Sequence, residues 1–387
     1  MATLALGAFV TSVNTTVLSP LLKPIAAQFH VSDAATGQLA TVTAAAAAAT
    51  ALVTAPWMDR YSRRVWLCGE CALLGLGTLL SALAPGFAWL FAGRALAGLG
   101  GATIFATCQA GVSDLFSDPN ERNRAIGLIG TGATLGAVAG LPLVTQIAAL
   151  AGWRWALAAL LPLIAVVVWA ASQLPGTAPA PEGSLWRGWM TGYRTVLRQR
   201  ETVWLLAVMV VLCLVWFGWL IYFGTFATTA FNVGASKLTL LFLVSGAAEI
   251  VGANVTPVLL QRLRPRTVVG LAAIVLSLDL AAVGVVYTRE WELFPFVAGA
   301  SLASVTAFTA TSILLLDSLP AARGAVMALQ SAGFELGGAL GAAGTGVGLA
   351  VLHDFAAVYR LLGLVLLLTL VLLYLSGREA QASAQPG

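Results

Sequence analysis

The sequence predicts an all-α integral membrane protein: twelve transmembrane helices in two pseudo-symmetric six-helix bundles. Three observations carry that expectation. Of 387 residues, 59% are hydrophobic and 9% charged, with a mean hydropathy of +0.91, and a soluble fold of this size could not cover its surface with polar atoms. The apolar runs are long and unbroken, near the roughly 20 residues that a bilayer core demands of a helix, whereas β-barrel strands would be short and alternating. Finally, one polar interruption falls at the midpoint and leaves six runs on either side.

In order, the runs lie at about 2–22, 34–58, 65–84, 87–112, 123–149, 153–173, 203–228, 236–260, 267–287, 291–316, 322–350 and 355–376. The first has no basic residues before it and is followed by Lys23-Pro24 rather than a small-residue cleavage site, so it reads as a span and not as a signal peptide. With both termini on the inner side, fourteen of the 20 Lys and Arg fall in inside loops or the tail, five fall outside, and Arg94 alone lies within a span. That bias sets orientation in short loops, so both termini are expected in the cytoplasm, with the chain in the inner (plasma) membrane. The net charge of +4 therefore marks topology, and nucleic acid is not an expected partner.

The interruption at 174–201 begins with Pro175, Pro179 and Pro181. It continues with Trp186, Trp189, Tyr193 and Leu197 three and four apart, and Arg187, Arg194 and Arg198 on another face. This spacing predicts an amphipathic helix on the inner leaflet. The expected organisation is a bundle over 1–173, a linker over 174–201, a second bundle over 202–377 and a short tail over 378–387. A midpoint of this kind suggests an internal repeat. The hinge Trp57-Met58-Asp59-Arg60-Tyr61-Ser62-Arg63-Arg64, between spans two and three, has a loose counterpart in Gln261-Arg262-Leu263-Arg264-Pro265-Arg266, between spans eight and nine. A glycine-rich fifth span answers to a glycine-rich eleventh.

Three motifs carry a resemblance that covers essentially the whole chain. Asp59, Arg60, Arg63 and Arg64 match the loop signature Gly-x-x-x-Asp-Arg-x-Gly-Arg-Arg, with Ala55 and Ser62 in place of its glycines. The fourth span, from Leu90 to Ala102, matches Leu-x-x-x-Arg-x-x-x-Gly-x-Gly-Ala through Arg94, Gly98, Gly100 and Ala102. In the fifth, Gly132, Gly136 and Gly140 recur every fourth residue ahead of Pro142. The sequence thereby resembles the major facilitator superfamily, and within it the twelve-span drug and sugar efflux permeases of the drug:proton antiporter type.

The resemblance implies roles. The loop would latch the two halves, Asp59 resting at the N-terminus of the eleventh helix and Arg63 pairing with Asp114; the plainer reading makes the arginines topology markers on anionic lipid. Arg94, costly inside a span, would take part in proton coupling or in sensing substrate charge, unless it snorkels to the outer surface. Glycines at every fourth position let another helix approach, and Pro142 would bend the span; together they resemble the exporters' antiporter motif. That motif departs from the family form, since Leu141 separates Gly140 from Pro142 and Val144-Thr145 replaces a glycine pair, and with Gly152-Trp153-Arg154 it looks more like the sugar-efflux branch.

Acids at mid-depth are the proton-coupling candidates: Glu249 in span eight and Glu335 in span eleven, whose other reading is an interhelical hydrogen bond. Glu70 and Asp279, on the peripheral spans three and nine, are not expected to touch substrate. Span one offers Asn14 where several drug antiporters place an acid. Asn14, Trp216, Trp219, Tyr222 and Phe223 are the substrate-cavity candidates, although the aromatic residues would equally suit a lipid-facing belt. Cys68 and Cys71, inside an apolar span, read as packing rather than metal or disulfide chemistry.

The expected function is therefore a secondary active transporter, not an enzyme, that exports a small drug-like or sugar-like molecule by proton antiport with alternating access. It would work as a monomer in the lipid bilayer, with no cofactor beyond the coupling proton and no metal. The alternative is uptake or facilitated diffusion of a sugar or organic anion, or translocation of a lipid-like substrate. No cluster of His, Asp or Ser of the kind a membrane enzyme needs is visible at either face.

Overall fold

The computed structural model describes residues 1–58, 61–115, 118–174, 185–319 and 322–384. Among them, eleven helices are long and apolar enough to cross a membrane, the first at Asp33–Thr54 and the last at Phe355–Ala380. The first expected span takes a different form. Helix α1 (Ala2–Thr16) is followed by a tight turn and then by α2 (Leu22–Phe29). Pro20 has no N–H to give to the Thr16 carbonyl, and the chain tightens instead, Ser19 N–H bonding Thr16 O at 3.0 Å and Leu21 N–H bonding Leu18 O at 2.9 Å.

The chain forms two compact units, residues 1–183 with 221–243, and 184–220 with 244–387. The first contains α1, α2, α3 (Asp33–Met58), α4 (Arg63–Ala82), α5 (Phe87–Gly101), α6 (Ile104–Leu115), α7 (Pro119–Ala151), α8 (Trp153–Ala158) and α9 (Leu160–Ser172). The end of α11 (Arg200–Ala230) and the start of α12 (Ala235–Arg262) complete it. Spans four and six are each broken into two helices, at Ala102-Thr103 and at Ala159. At the first break, Gly100 and Gly101 are weak helix formers.

Helix ends in this unit are capped as the sequence chemistry dictates. Asp118 accepts the Glu121 N–H at 3.0 Å with Pro119 beginning α7, and His30 closes α2 in the left-handed conformation at φ 52°. Around α2, Trp153 Nε1–H donates to Gln28 Oε1 at 2.6 Å, and the Arg154 guanidinium lies 4.5 Å above the Trp153 ring while donating to the Ala84 carbonyl at 2.8 Å. Gln146 of α7 donates to Thr239 of α12 at 2.7 Å.

The second unit contains α10 (Leu185–Arg198), α11 up to residue 220, α12 from residue 244, α13 (Pro265–Ala282), α14 (Leu293–Ser318), α15 (Arg323–Leu352), α16 (Phe355–Leu366) and α17 (Leu368–Ala384). Its core is aromatic: Trp219 packs edge-on against Trp216 at 5.2 Å and Phe296 at 5.7 Å, and the Tyr359 hydroxyl donates to the Trp219 carbonyl at 3.0 Å. On α10, Tyr193 and Val196 are buried and Gly192 packs against Ala325 of α15, while Leu197, Arg194 and Arg198 are exposed. Part of the apolar face expected to lie on the membrane is thus covered by protein. His353 closes α15 at φ 53°, as His30 closes α2.

Candidate functional site

The sharpest polar feature of the first unit is built by glycines. A β-carbon at Gly98 would collide with the Thr43 backbone of α3, one at Gly100 with the Leu74 backbone of α4, and one at Gly101 would press on Asn14 Nδ2 of α1 at 3.1 Å. Only a chain without side chains at these points lets α5 sit this close to three helices. Arg94, one turn before Gly98, is thereby driven into the interior and is 1% exposed. Its Nε–H donates to Thr43 Oγ1 at 3.3 Å, and Nη2 donates to Asn14 Oδ1 at 3.2 Å and to the Asn14 carbonyl at 3.5 Å. Nη1 is buried with no hydrogen-bond partner. Among the described residues no carboxylate pairs with this guanidinium, so its charge is held by neutral oxygens alone, an expensive arrangement in a low-dielectric interior.

Gly132, Gly136 and Gly140 form the face of α7 that meets α1. Added β-carbons would overlap the Ala5 carbonyl, lie 2.6 Å from the Phe9 carbonyl and lie 2.6 Å from Val13 Cγ2, respectively. Pro142, inside α7, is buried. The same device recurs in the second unit, where Gly337 and Gly341 of α15 meet the Val210 and Leu214 carbonyls of α11.

Of the residues assigned to a latch, Asp59 and Arg60 lie outside the described residues, as does the Asp114 side chain. Arg63 is half-buried and Arg64 exposed at the start of α4. Ser62, which replaces a family glycine, is the N-cap of that helix, its Oγ accepting the Val65 N–H at 3.4 Å.

The second unit holds Glu249 and Glu335. Both are half-buried, and neither side chain has a hydrogen bond or ion pair among the described residues. Glu335 lies beside Gly337, at the close contact of α15 with Cys213. Trp219 belongs to the aromatic core of this unit, and Trp216 beside it is half-buried. Tyr222 and Phe223 belong to the first unit, where both are fully buried; Tyr222 fills the space at Gly37 and Phe223 packs on Phe242 at 5.9 Å. Cys68 and Cys71 are free thiols. Thr43 was not among the candidates, because nothing in an alanine-rich run distinguishes one threonine that back-bonds its own helix, to Leu39 O at 2.7 Å, while receiving a guanidinium.

The family model for the Major Facilitator Superfamily matches residues 4–305. Among similar proteins, the MFS-type transporter ppz2 of Metarhizium majus is 33% identical over 171 residues, 43% of this chain and 28% of that protein. The transcription regulatory protein OpdE of Pseudomonas aeruginosa is 29% identical over 250 residues, 62% of this chain and 60% of that protein. The multidrug resistance protein Stp of Mycobacterium tuberculosis is 36% identical over 110 residues, 28% of this chain and 20% of that protein. The chain thus spans less than two thirds of the length of each of these relatives. A crystal structure of a bacterial homolog of the human lysosomal transporter Spinster, inward-facing and unoccupied, superimposes with a TM-score of 0.72 at 17% identity, covering 98% of this chain and 95% of that one. The chain belongs to the major facilitator superfamily and is a multi-pass membrane protein.

Proposed function

We propose that this protein is a proton antiporter that exports a small organic or amphiphilic molecule across the plasma membrane by alternating access. The observation that carries the reading is the fully buried Arg94, held by Asn14 and Thr43 with no acid partner among the described residues. A guanidinium so placed is stabilised when an anion reaches it, whether a substrate group or a carboxylate that has given up its proton. Glu249 and Glu335, half-buried and without partners in the described structure, are the carboxylates assigned to the proton. Export is supported by the glycine face and Pro142 of α7, which resemble the exporters' motif, and by the multidrug name of one relative. Both termini are placed in the cytoplasm by the arginine bias, and the working unit is a monomer. The unpaired guanidinium also favours a second reading, translocation of an organic anion.

The test uses proteoliposomes that enclose a pH-sensitive dye and present a panel of drugs, sugars, organic anions and amphiphiles under an imposed pH gradient. Substrate-dependent proton movement is the expected result. Substrate flux with no accompanying proton would sink antiport and leave facilitated diffusion.

A further inference from the structure

The peripheral acid of the first unit is a better-formed site than the sequence implied. Glu70 of α4 lies seven residues past the first helical residue, Arg63, which is about 10 Å along the helix. It is 7% exposed, and it accepts a hydrogen bond from the Thr103 hydroxyl at the break between α5 and α6. The crossing of α4 with α5 is close enough that β-carbons at Gly93 and Gly100 would meet the Ser81 N at 2.8 Å and the Glu70 O at 2.7 Å. The Glu70 side chain turns toward α6.

There it meets Thr107, 1% exposed, and the Trp66 indole from its own helix. The Thr107 hydroxyl and the Trp66 indole N–H both turn to the carboxyl, and Glu70 Oε2, Thr107 Oγ1 and Trp66 Nε1 have no partner beyond one another among the described residues. Tyr61 of the hinge stacks on Trp66 at 6.2 Å.

Charges around the carboxylate are few among the described residues. Arg63 acts on it from the same helix, and Cys71 and Cys108 are its titratable neighbours. Arg94 of α5 is bonded to Asn14 and Thr43, Arg154 of α8 to the Ala84 carbonyl, and α9 carries no titratable residue. A buried carboxylate met by neutral hydroxyls and an indole, with no cation bonded to it among the described residues, is stabilised by neutralisation in place.

We propose that Glu70, with Thr103 and Thr107 at the break of the fourth span, forms a monovalent-cation site in the first unit, taking up a proton or Na⁺. Loading it changes the charge at the point where α4 locks onto the broken span, which makes it a second coupling position besides Glu249 and Glu335. This inference extends the proton-coupling reading, yet its test needs no substrate, so the two stand or fail separately.

Infrared spectra of the full-length protein in liposomes, recorded without sodium across the neutral pH range, read the protonated carboxyl band of a buried acid. If the cation is a proton, one such band titrates in wild type and is lost in Glu70→Gln, and Thr103→Val, which keeps the shape and removes the hydroxyl, moves its midpoint. If the cation is Na⁺, sodium chloride but not potassium or choline chloride at equal ionic strength raises the melting temperature of wild type and leaves Glu70→Gln unmoved. Should Glu70→Gln fold poorly, Thr103→Val carries both readouts. Spectra and sodium response that are the same in wild type and both variants overturn the proposal.

Discussion

In the first unit, Gly132, Gly136 and Gly140 seat α7 on α1; in the second, Gly337 and Gly341 seat α15 on α11. The packing device is shared, but the polar chemistry beside it differs. The first unit buries a cation, Arg94, and holds it with an amide and a hydroxyl while Nη1 has no hydrogen-bond partner among the described residues. The second carries two acids, Glu249 and Glu335, only half-buried and with no hydrogen bonds among the described residues, and it has a separate aromatic core of Trp219, Phe296 and Tyr359. Related backbone packing therefore supports unlike sites. In the account proposed here, Arg94 of the first unit holds a fixed charge, while Glu249 and Glu335 of the second, with Glu70 of the first, change theirs.

The sharpest way to break this comparison is to remove the fixed charge. Arg94→Met deletes hydrogen bonds from an ionised donor, each worth about 1.5–3 kcal/mol, and transport in proteoliposomes is expected to fall roughly 10–100-fold. Arg94→Lys keeps the charge without the planar fork and should fall in between. Wild-type rates in Arg94→Met would remove this residue from the mechanism.

The packing side of the comparison is tested by overfilling each glycine face in turn. Gly136→Leu and Gly341→Leu insert a side chain where α1 and α11 pass, at an expected cost of about 1–3 kcal/mol or more, read as a lower melting temperature. Equal losses in both would sharpen the parallel between the units, and a tolerant position in either would break it. A smaller effect is expected at the cap of α4: Ser62→Ala should cost about 1 kcal/mol, and Ser62→Gly, the residue of the family signature, only a few tenths. The exposed Arg200–Glu379 pair, 3.6 Å apart, is the smallest. Replacing both residues with Ala should change thermal stability by less than about 1 kcal/mol.

Much of the fold was legible because the bilayer imposes long apolar runs and arginine marks their ends. The turn within 2–29 was less so. Pro20 and Pro24 were visible, but a continuous apolar run overrode them, and the i to i+3 bonds at Ser19 and Leu21 appear only in three dimensions. Arg94 announced itself, since a lone charge in an apolar span needs a partner. Its partner Thr43 did not, because threonines that bond their own helix recur along α3, as at Thr50 and Thr54. The site at Glu70 was underrated for a related reason. Its span number placed it at the periphery, and the break at Ala102-Thr103 that gives it a hydroxyl partner is encoded by Gly100 and Gly101, which read equally well as motif glycines.

The most direct test of the division of labour is to drive dye-loaded proteoliposomes with a substrate gradient alone, comparing wild type with the Glu249→Gln/Glu335→Gln double variant. The account predicts proton movement in wild type and none in the double variant, while substrate counterflow, which needs no net proton, persists in both. Undiminished proton movement in the double variant would contradict it and leave the proton to other groups of the chain.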